Sequence, residues 1–205
     1  MGNPAKRNPG KPNTETSIQH FSHEHQLLLA NVKTQTNLSM DSCAGCKLKP
    51  SKLVYACESC NFILHIPCSQ MPKLINHPAD PNHTFTLLAQ PAYSTGLFRC
   101  DACGNNGDGF NYHCSTCGID LHIICATMPL SLAHQTHPCP LNLVFSPDPS
   151  QDFSCDVCHG EGSSNHWVYR CNPCGFNAHL NCATYKSSSS SSTSSVSQHQ
   201  TRSLV

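Results

Sequence analysis

CDACGNNGDGFNYHCSTCGIDLHIIC, residues 100–125, holds two Cys-x2-Cys pairs followed by a His-x2-Cys, and the chain carries this arrangement three times. The pairs here are Cys100/Cys103 and Cys114/Cys117, ahead of His122 and Cys125. The earlier version runs Cys43/Cys46, Cys57/Cys60, His65, Cys68, and the later one Cys155/Cys158, Cys171/Cys174, His179, Cys182. Ten residues separate the two pairs in the first and second versions and twelve in the third; four residues always precede the histidine. Thiolates two residues apart can share one tetrahedral zinc, and chance does not repeat such a set three times at near-fixed spacing.

The repeat divides the 205 residues into units of about 55 residues. Units that small bury too little apolar surface to fold securely on a hydrophobic core, so they need a staple. Zinc supplies one, at about 10–16 kcal/mol per structural site near neutral pH. Disulfides are the other candidate. The opening MGNPAKRNPG has no apolar segment of the signal-peptide kind, and no run of apolar residues is long enough to span a bilayer. Reduced, metal-bound cysteines in an intracellular setting, cytoplasm or nucleus, are therefore the expectation.

Formal net charge is zero but unevenly spread. Residues 1–76 carry eight basic and four acidic side chains, whereas residues 77–182 carry two basic and eight acidic ones. So acidic a surface repels phosphate backbones, which argues against nucleic acid as a partner of the second and third units.

Residues 1–19 are polar and interrupted by Pro4, Pro9, Gly10 and Pro12, and 187–205 open on a serine tract; both read as disordered by composition. Between them the units run 20–76, 77–133 and 134–186. Tyr55, Tyr112 and Tyr169 each precede the second cysteine pair by two residues, and Phe62, Ile119 and Phe176 follow it by two. Such alternation places these side chains on one strand face, as a miniature core around the metal. Short strands are also expected at Thr84–Leu87 and Leu141–Leu143, with at most a helical turn after Cys68, Cys125 and Cys182. The fold class is a set of small zinc-stabilised domains, mostly short β-strands, in a string of three.

Each unit offers five cysteines and one histidine in its core pattern, which fills one four-coordinate site and leaves two ligands over. Seventeen residues separate His25 from Cys43 and His137 from Cys155, and sixteen separate His83 from Cys100. That regularity marks a further upstream ligand. Downstream, His77 and His134 each follow the last cysteine of the preceding unit after eight residues.

This order resembles the diacylglycerol-binding C1 domain, and more closely the plant divergent C1 family, in stretches such as HFSHEHQLLL, GFNYHCSTCGIDLHIICA and WVYRCNPCGFNAHLNCA over residues 20–185. The resemblance implies a crossed arrangement of two zincs per unit. Cys43, Cys46, His65 and Cys68 form one site, and His25, Cys57, Cys60 and His77 the other. The second unit uses Cys100, Cys103, His122 and Cys125, then His83, Cys114, Cys117 and His134. The third uses Cys155, Cys158, His179 and Cys182, then His137, Cys171 and Cys174 with no fourth ligand. Five or six zinc ions follow. His77 and His134 stand in for the C1 pattern's last cysteine, whose place is taken by Asn76 and Ala133. Cys139 belongs to no site on this reading and is a small buried hydrophobe; His20, His23, His113, His159, His166 and His199 are surface residues.

Fully closed zinc sites leave no position for the water that zinc hydrolysis requires, so the chain is read as a non-catalytic binding scaffold. The family resemblance implies plant signalling or stress response, with a protein partner or a membrane lipid. The loops between the pairs lack the Gln-Gly of lipid-binding C1 domains, and Lys47, Lys49 and Lys52 in the first are a solvated face that can also meet anionic headgroups. The alternative is a chromatin reader of the plant-homeodomain finger type, which needs a cysteine pair after Cys68. Cys100 and Cys103 supply one, but they must also open the second unit. A RING ubiquitin ligase needs its histidine between the cysteine pairs, and a dithiol redox enzyme needs a βαβ setting; neither is present.

Overall fold

The computed structural model describes residues 15–32, 42–145 and 152–185. Each unit is built on one four-stranded antiparallel sheet, and the second and third add a two-stranded hairpin, Phe98–Arg99 with Asn106–Gly107 and Phe153–Ser154 with Glu161–Gly162. In the first unit the sheet consists of Ser17–Ile18, Leu27–Asn31, Leu53–Ala56 and Ile63–His65, paired in that order. The second unit uses Leu74–His77, Asp80–Leu88, Asn111–His113 and Asp120–His122. The third uses Ser131–His134, His137–Val144, Val168–Cys171 and Phe176–His179. The strands foreseen at Thr84–Leu87 and Leu141–Leu143 lie inside the longer Asp80–Leu88 and His137–Val144. Alternation drives them: Phe85 and Leu87, then Leu141 and Leu143, point inward while their neighbours face out.

Two expectations need correction. Residues 15–19, assigned by composition to a disordered lead, carry an edge strand, Ser17–Ile18, paired to Leu27 and Leu28. The remainder of that lead and the serine tract lie outside the described residues. The helical turn also comes earlier than expected: Ile66–Ser69, Ile123–Ala126 and Leu180–Thr184 begin right after the histidine and contain the cysteine. A His and a Cys three apart reach one point only if the chain between them coils, because helical spacing puts positions i and i+3 on one face.

The tyrosines brace each unit identically. Tyr55, Tyr112 and Tyr169 are buried, and each hydroxyl donates to a backbone carbonyl 40 residues upstream: Glu15 at 2.9 Å, Pro72 at 2.8 Å and Pro129 at 2.6 Å. Removing the hydroxyl of Tyr112 leaves the Pro72 carbonyl without its donor. Tyr112→Phe is expected to cost the metal-loaded protein about 1–2 kcal/mol, read from its denaturation midpoint; an unchanged midpoint would mean the bond is replaced by water.

The units do not hang separately. A continuous set of buried side chains runs from Leu27 in the first to Ala183 in the third. The contact between neighbours is made the same way twice. The loop between the cysteine pairs of one unit lays an aromatic residue and its amide on the first knuckle of the unit before it. Phe110 donates its N–H to the Gly45 carbonyl at 2.8 Å, and Trp167 donates to Ala102 at 2.9 Å. Phe110 lies parallel to the His20 ring with centroids 6.0 Å apart, and Trp167 stacks on His77 at 5.2 Å. A Cβ on Gly109 would fall 2.4 Å from the Gly45 carbonyl oxygen, so only glycine fits beside Phe110 at this approach. Lys47 and Asp108 close the same junction with an ion pair at 3.0 Å.

Candidate metal centres

Each first cysteine pair sits on a tight turn. The amide of the residue after the pair donates back to the first cysteine's carbonyl: Lys47 to Cys43 at 2.8 Å, Gly104 to Cys100 at 2.7 Å, His159 to Cys155 at 2.7 Å. That residue takes a left-handed φ each time, 59° at Lys47, 74° at Gly104 and 59° at His159. The turn folds both sulfurs to one side and aims amides at them. His65 N–H donates to Cys43 Sγ at 3.3 Å, and His122 N–H to Cys100 Sγ at 3.4 Å.

Among the described residues, six groups bring His, Cys or acidic side chains close enough to share a cation. Three of them are Cys43/Cys46/His65/Cys68, Cys100/Cys103/His122/Cys125 and Cys155/Cys158/His179/Cys182, with all four donor atoms of each within 4.8 Å of one another. Bond lengths of about 2.3 Å to sulfur and 2.0 Å to nitrogen put the edges of a zinc tetrahedron at roughly 3.5–3.8 Å. The histidine Nδ1 atoms match: 3.3 and 3.8 Å from Cys46 and Cys68, 3.5 and 3.9 Å from Cys103 and Cys125, 3.4 and 3.8 Å from Cys158 and Cys182. The opposite nitrogens of His65 and His179 face backbone carbonyls, Lys49 at 3.3 Å and Glu161 at 3.0 Å, which fixes Nδ1 as the metal-facing atom.

Electrostatics asks for a cation at the same points. Neighbouring thiols hold the Cys43 thiol well below its ordinary range while pushing Cys68 far above it. The Cys100 and Cys103 thiols do the same to Cys125, and they raise His122 to about 10. Burial alone would raise Cys155, but the amides of Cys158, His179 and Val157 draw it down to about 7. Three packed thiols and an imidazole cannot all take their ligand forms unless a cation sits between them.

The outer groups differ from expectation. His25 meets Cys57 and Cys60, with Nδ1 at 3.7 and 3.3 Å from the two sulfurs, and the fourth member is His23 rather than His77. His23 lies flat on Phe62, centroids 4.3 Å apart. His137 joins Cys171 and Cys174 together with Cys139, whose sulfur is 3.8 Å from Cys174. The third unit thus offers a fourth candidate donor. Phe176 stacks on His137 at 4.3 Å, as Phe62 does on His23. Cys139→Ala is expected to remove one zinc from the loaded protein, counted by native mass spectrometry; an unchanged count would return Cys139 to a packing role. In the second unit His83 Nδ1 lies 2.8 Å from Asp80 Oδ2, and Cys117 Sγ lies 2.9 Å from the same oxygen, beside Cys114.

His77 and His134 are placed elsewhere, for a physical reason. Both are buried, and both ring nitrogens are spent on their own unit. His77 Nδ1 accepts the Ala79 amide at 3.1 Å, and its other nitrogen faces the Ala126 carbonyl. His134 pairs with the Thr136 hydroxyl at 2.8 Å and with the Cys182 carbonyl at 3.3 Å. His20 does likewise with Ser22 at 2.6 Å and Ser69. Burial holds His20 and His77 below the usual imidazole range, which keeps the rings neutral, able to donate at one nitrogen and accept at the other. These histidines latch the start of each unit to its closing helical turn. The signal was available: His20, His77 and His134 recur at intervals of 57 residues, as the tyrosines do, which marks one structural position in three units.

Among curated proteins and among solved structures, nothing matches the chain significantly. A family model described as C1 domain matches three times, over residues 21–69, 79–126 and 135–183. C1 domains of this kind are binding modules, and no catalytic domain is identified. With three matches spanning well over half its length, and a pair of Cys/His-lined groups in each of the flanking units, the chain belongs to the divergent C1 domain family.

Proposed function

We propose that this protein is a non-catalytic, zinc-built scaffold whose three stacked units present one rigid surface to a protein partner inside the plant cell, in signalling or stress response. The observation that carries the reading is closure. Five of the groups offer four protein donors each, drawn from His23/His25/Cys57/Cys60, the three inner sets, and His137/Cys139/Cys171/Cys174. A zinc held by four side chains keeps no site for water or substrate and serves structure. Cys100 and Cys103 lie with His122 and Cys125, so they are not available to complete a plant-homeodomain finger in the first unit. Among the described residues no helix is long and apolar enough to cross a membrane.

One observation favours a second reading, contact with an anionic membrane surface. Leu48 and Leu53 are 55% and 45% exposed beside Lys49 and Lys52, between the first unit's cysteine pairs where the loop enters the strand Leu53–Ala56. Lys47 is already held by Asp108. The test runs zinc-loaded full chain, immobilised, against plant extract, with a chelated control and soluble chain as competitor. In parallel it sediments with phosphatidylcholine vesicles with and without phosphatidylserine. Zinc-dependent capture that the soluble chain competes away supports the scaffold. Sedimentation that depends on phosphatidylserine and is lost in Leu48→Asp supports the membrane reading. A loaded protein that retains nothing beyond its chelated control overturns both.

A further inference from the structure

The second unit's outer group is the odd one, and we propose that Asp80 is its fourth metal ligand, making it a carboxylate-containing centre that exchanges zinc more readily than its counterparts. This rests on the zinc reading above and concerns one residue that neither the cysteine spacing nor the family match singles out.

Strand register carries the argument. In the third unit the hairpin Ser131–His134/His137–Val144 pairs His134 with His137 across its turn, after a register shift beyond Leu132. In the second unit the hairpin Leu74–His77/Asp80–Leu88 pairs His77 with Asp80, after a shift at the same place. Asp80 therefore occupies the position that His137 occupies, 57 residues on. In the first unit and the third, the donors stand four and two residues ahead of a fully buried leucine: His23 and His25 before Leu27, His137 and Cys139 before Leu141. In the second unit the residue four ahead of buried Phe85 is Pro81, which has no donor, and His83 stands two ahead. Asp80, one residue further back, reaches into the vacant corner. Its Oδ2 lies 2.8 Å from His83 Nδ1 and 2.9 Å from Cys117 Sγ, hydrogen-bond spacings that a cation seated among the three would open to tetrahedral edges, while Oδ1 accepts the Asn82 amide at 3.2 Å. That second bond orients the carboxylate. Its side chain is only 12% exposed, which is unusual for an aspartate whose role is solvation.

The three outer centres then form a graded series on one scaffold. The first has two imidazoles and two thiolates, the second one imidazole, one carboxylate and two thiolates, the third one imidazole and three thiolates. Zinc, a borderline-soft ion, is held better by thiolate and imidazole than by a single carboxylate oxygen, which belongs to harder cations. Metal should leave the second unit's outer centre first and the third unit's last, so that falling free zinc loosens the Leu74–His77/Asp80–Leu88 hairpin in the middle of the stack before either end.

The test uses the full chain, zinc-loaded, in graded chelation followed by native mass spectrometry, with cobalt absorption as a second readout. Asp80→Ala should carry one zinc fewer than wild type and lack the first step of the chelation curve. Asp80→His should keep the full count and move that first step at least about tenfold higher in chelator, because imidazole replaces a weaker donor. The second variant protects the test should the first fail to fold. If both variants match wild type in count and curve, Asp80 is an ion-pair partner of His83 and the proposal falls while the scaffold stands. If wild type itself carries two zincs or fewer, the zinc reading fails and this inference with it.

Discussion

Stripping the metal with excess chelator is expected to erase most of the sheet signal in far-ultraviolet circular dichroism and to open the chain to protease along residues 43–182. The energetics are one-sided. Each structural zinc contributes about 10–16 kcal/mol, comparable with or above the 5–15 kcal/mol net stability of an ordinary domain. The apolar core of each unit is small, a tyrosine, a few aliphatic side chains and the cysteines themselves, joined by Phe85, Phe98 and Phe110 in the second and Trp167 in the third; Cys43, Cys57, Cys100, Cys114, Cys155 and Cys171 are all buried. Without a cation Cys68 and Cys125, pushed far above the ordinary range by their neighbouring thiols, stay protonated, and the tetrahedra lose their cross-links. The chain's one tryptophan gives a second readout: Trp167 is 5% exposed, so its emission should shift to longer wavelength as the stack opens. Restoring zinc should reverse both signals. A thermal transition that survives the chelator unchanged would show that packing or disulfides, and not metal, hold the units.

How much of this was readable beforehand depends on what spacing encodes. Cys-x2-Cys and His-x2-Cys are local devices: the turn at Cys43–Lys47 and the helical turn Ile66–Ser69 bring their donors together by backbone geometry alone, so the spacing shows directly which atoms can converge. The tyrosines were legible for the same reason, as alternation on a strand. The outer groups are different. Which residue of the hairpin meets the second cysteine pair is set by a register shift at its turn, and no sequence interval reports a register shift. Counting from Cys43 and Cys155 picked out His25 and His137 but passed over their neighbours His23 and Cys139. It also cast His77 and His134 as ligands of the unit before, when their position shared with His20 makes them latches of the unit after. The stacking of units was silent too, because Phe110 and Trp167 sit in loops whose lengths differ by two residues and whose partners lie in another repeat.

Trp167→Ala should separate the third unit from the second while leaving the zinc count intact. The indole stacks on His77 at 5.2 Å and takes the Phe145 ring edge-on at 4.7 Å, so its loss empties the centre of the junction. Truncating a buried tryptophan costs about 3–5 kcal/mol, and here the cost falls on the junction rather than on either unit's metal sites. The amide of residue 167 still donates to Ala102, but one backbone bond worth about 1 kcal/mol does not hold two units together. Small-angle scattering should therefore report a larger radius of gyration, and protease should cut between Ala126 and His137 faster than it does in wild type. Phe110→Ala should loosen the first junction less, since Phe110 meets His20 only at 6.0 Å and the Lys47–Asp108 pair remains. Unchanged scattering and protease resistance in Trp167→Ala would mean that the units hold their arrangement through the backbone alone. In that case the rigid surface proposed for the scaffold would not depend on the aromatic contacts at all.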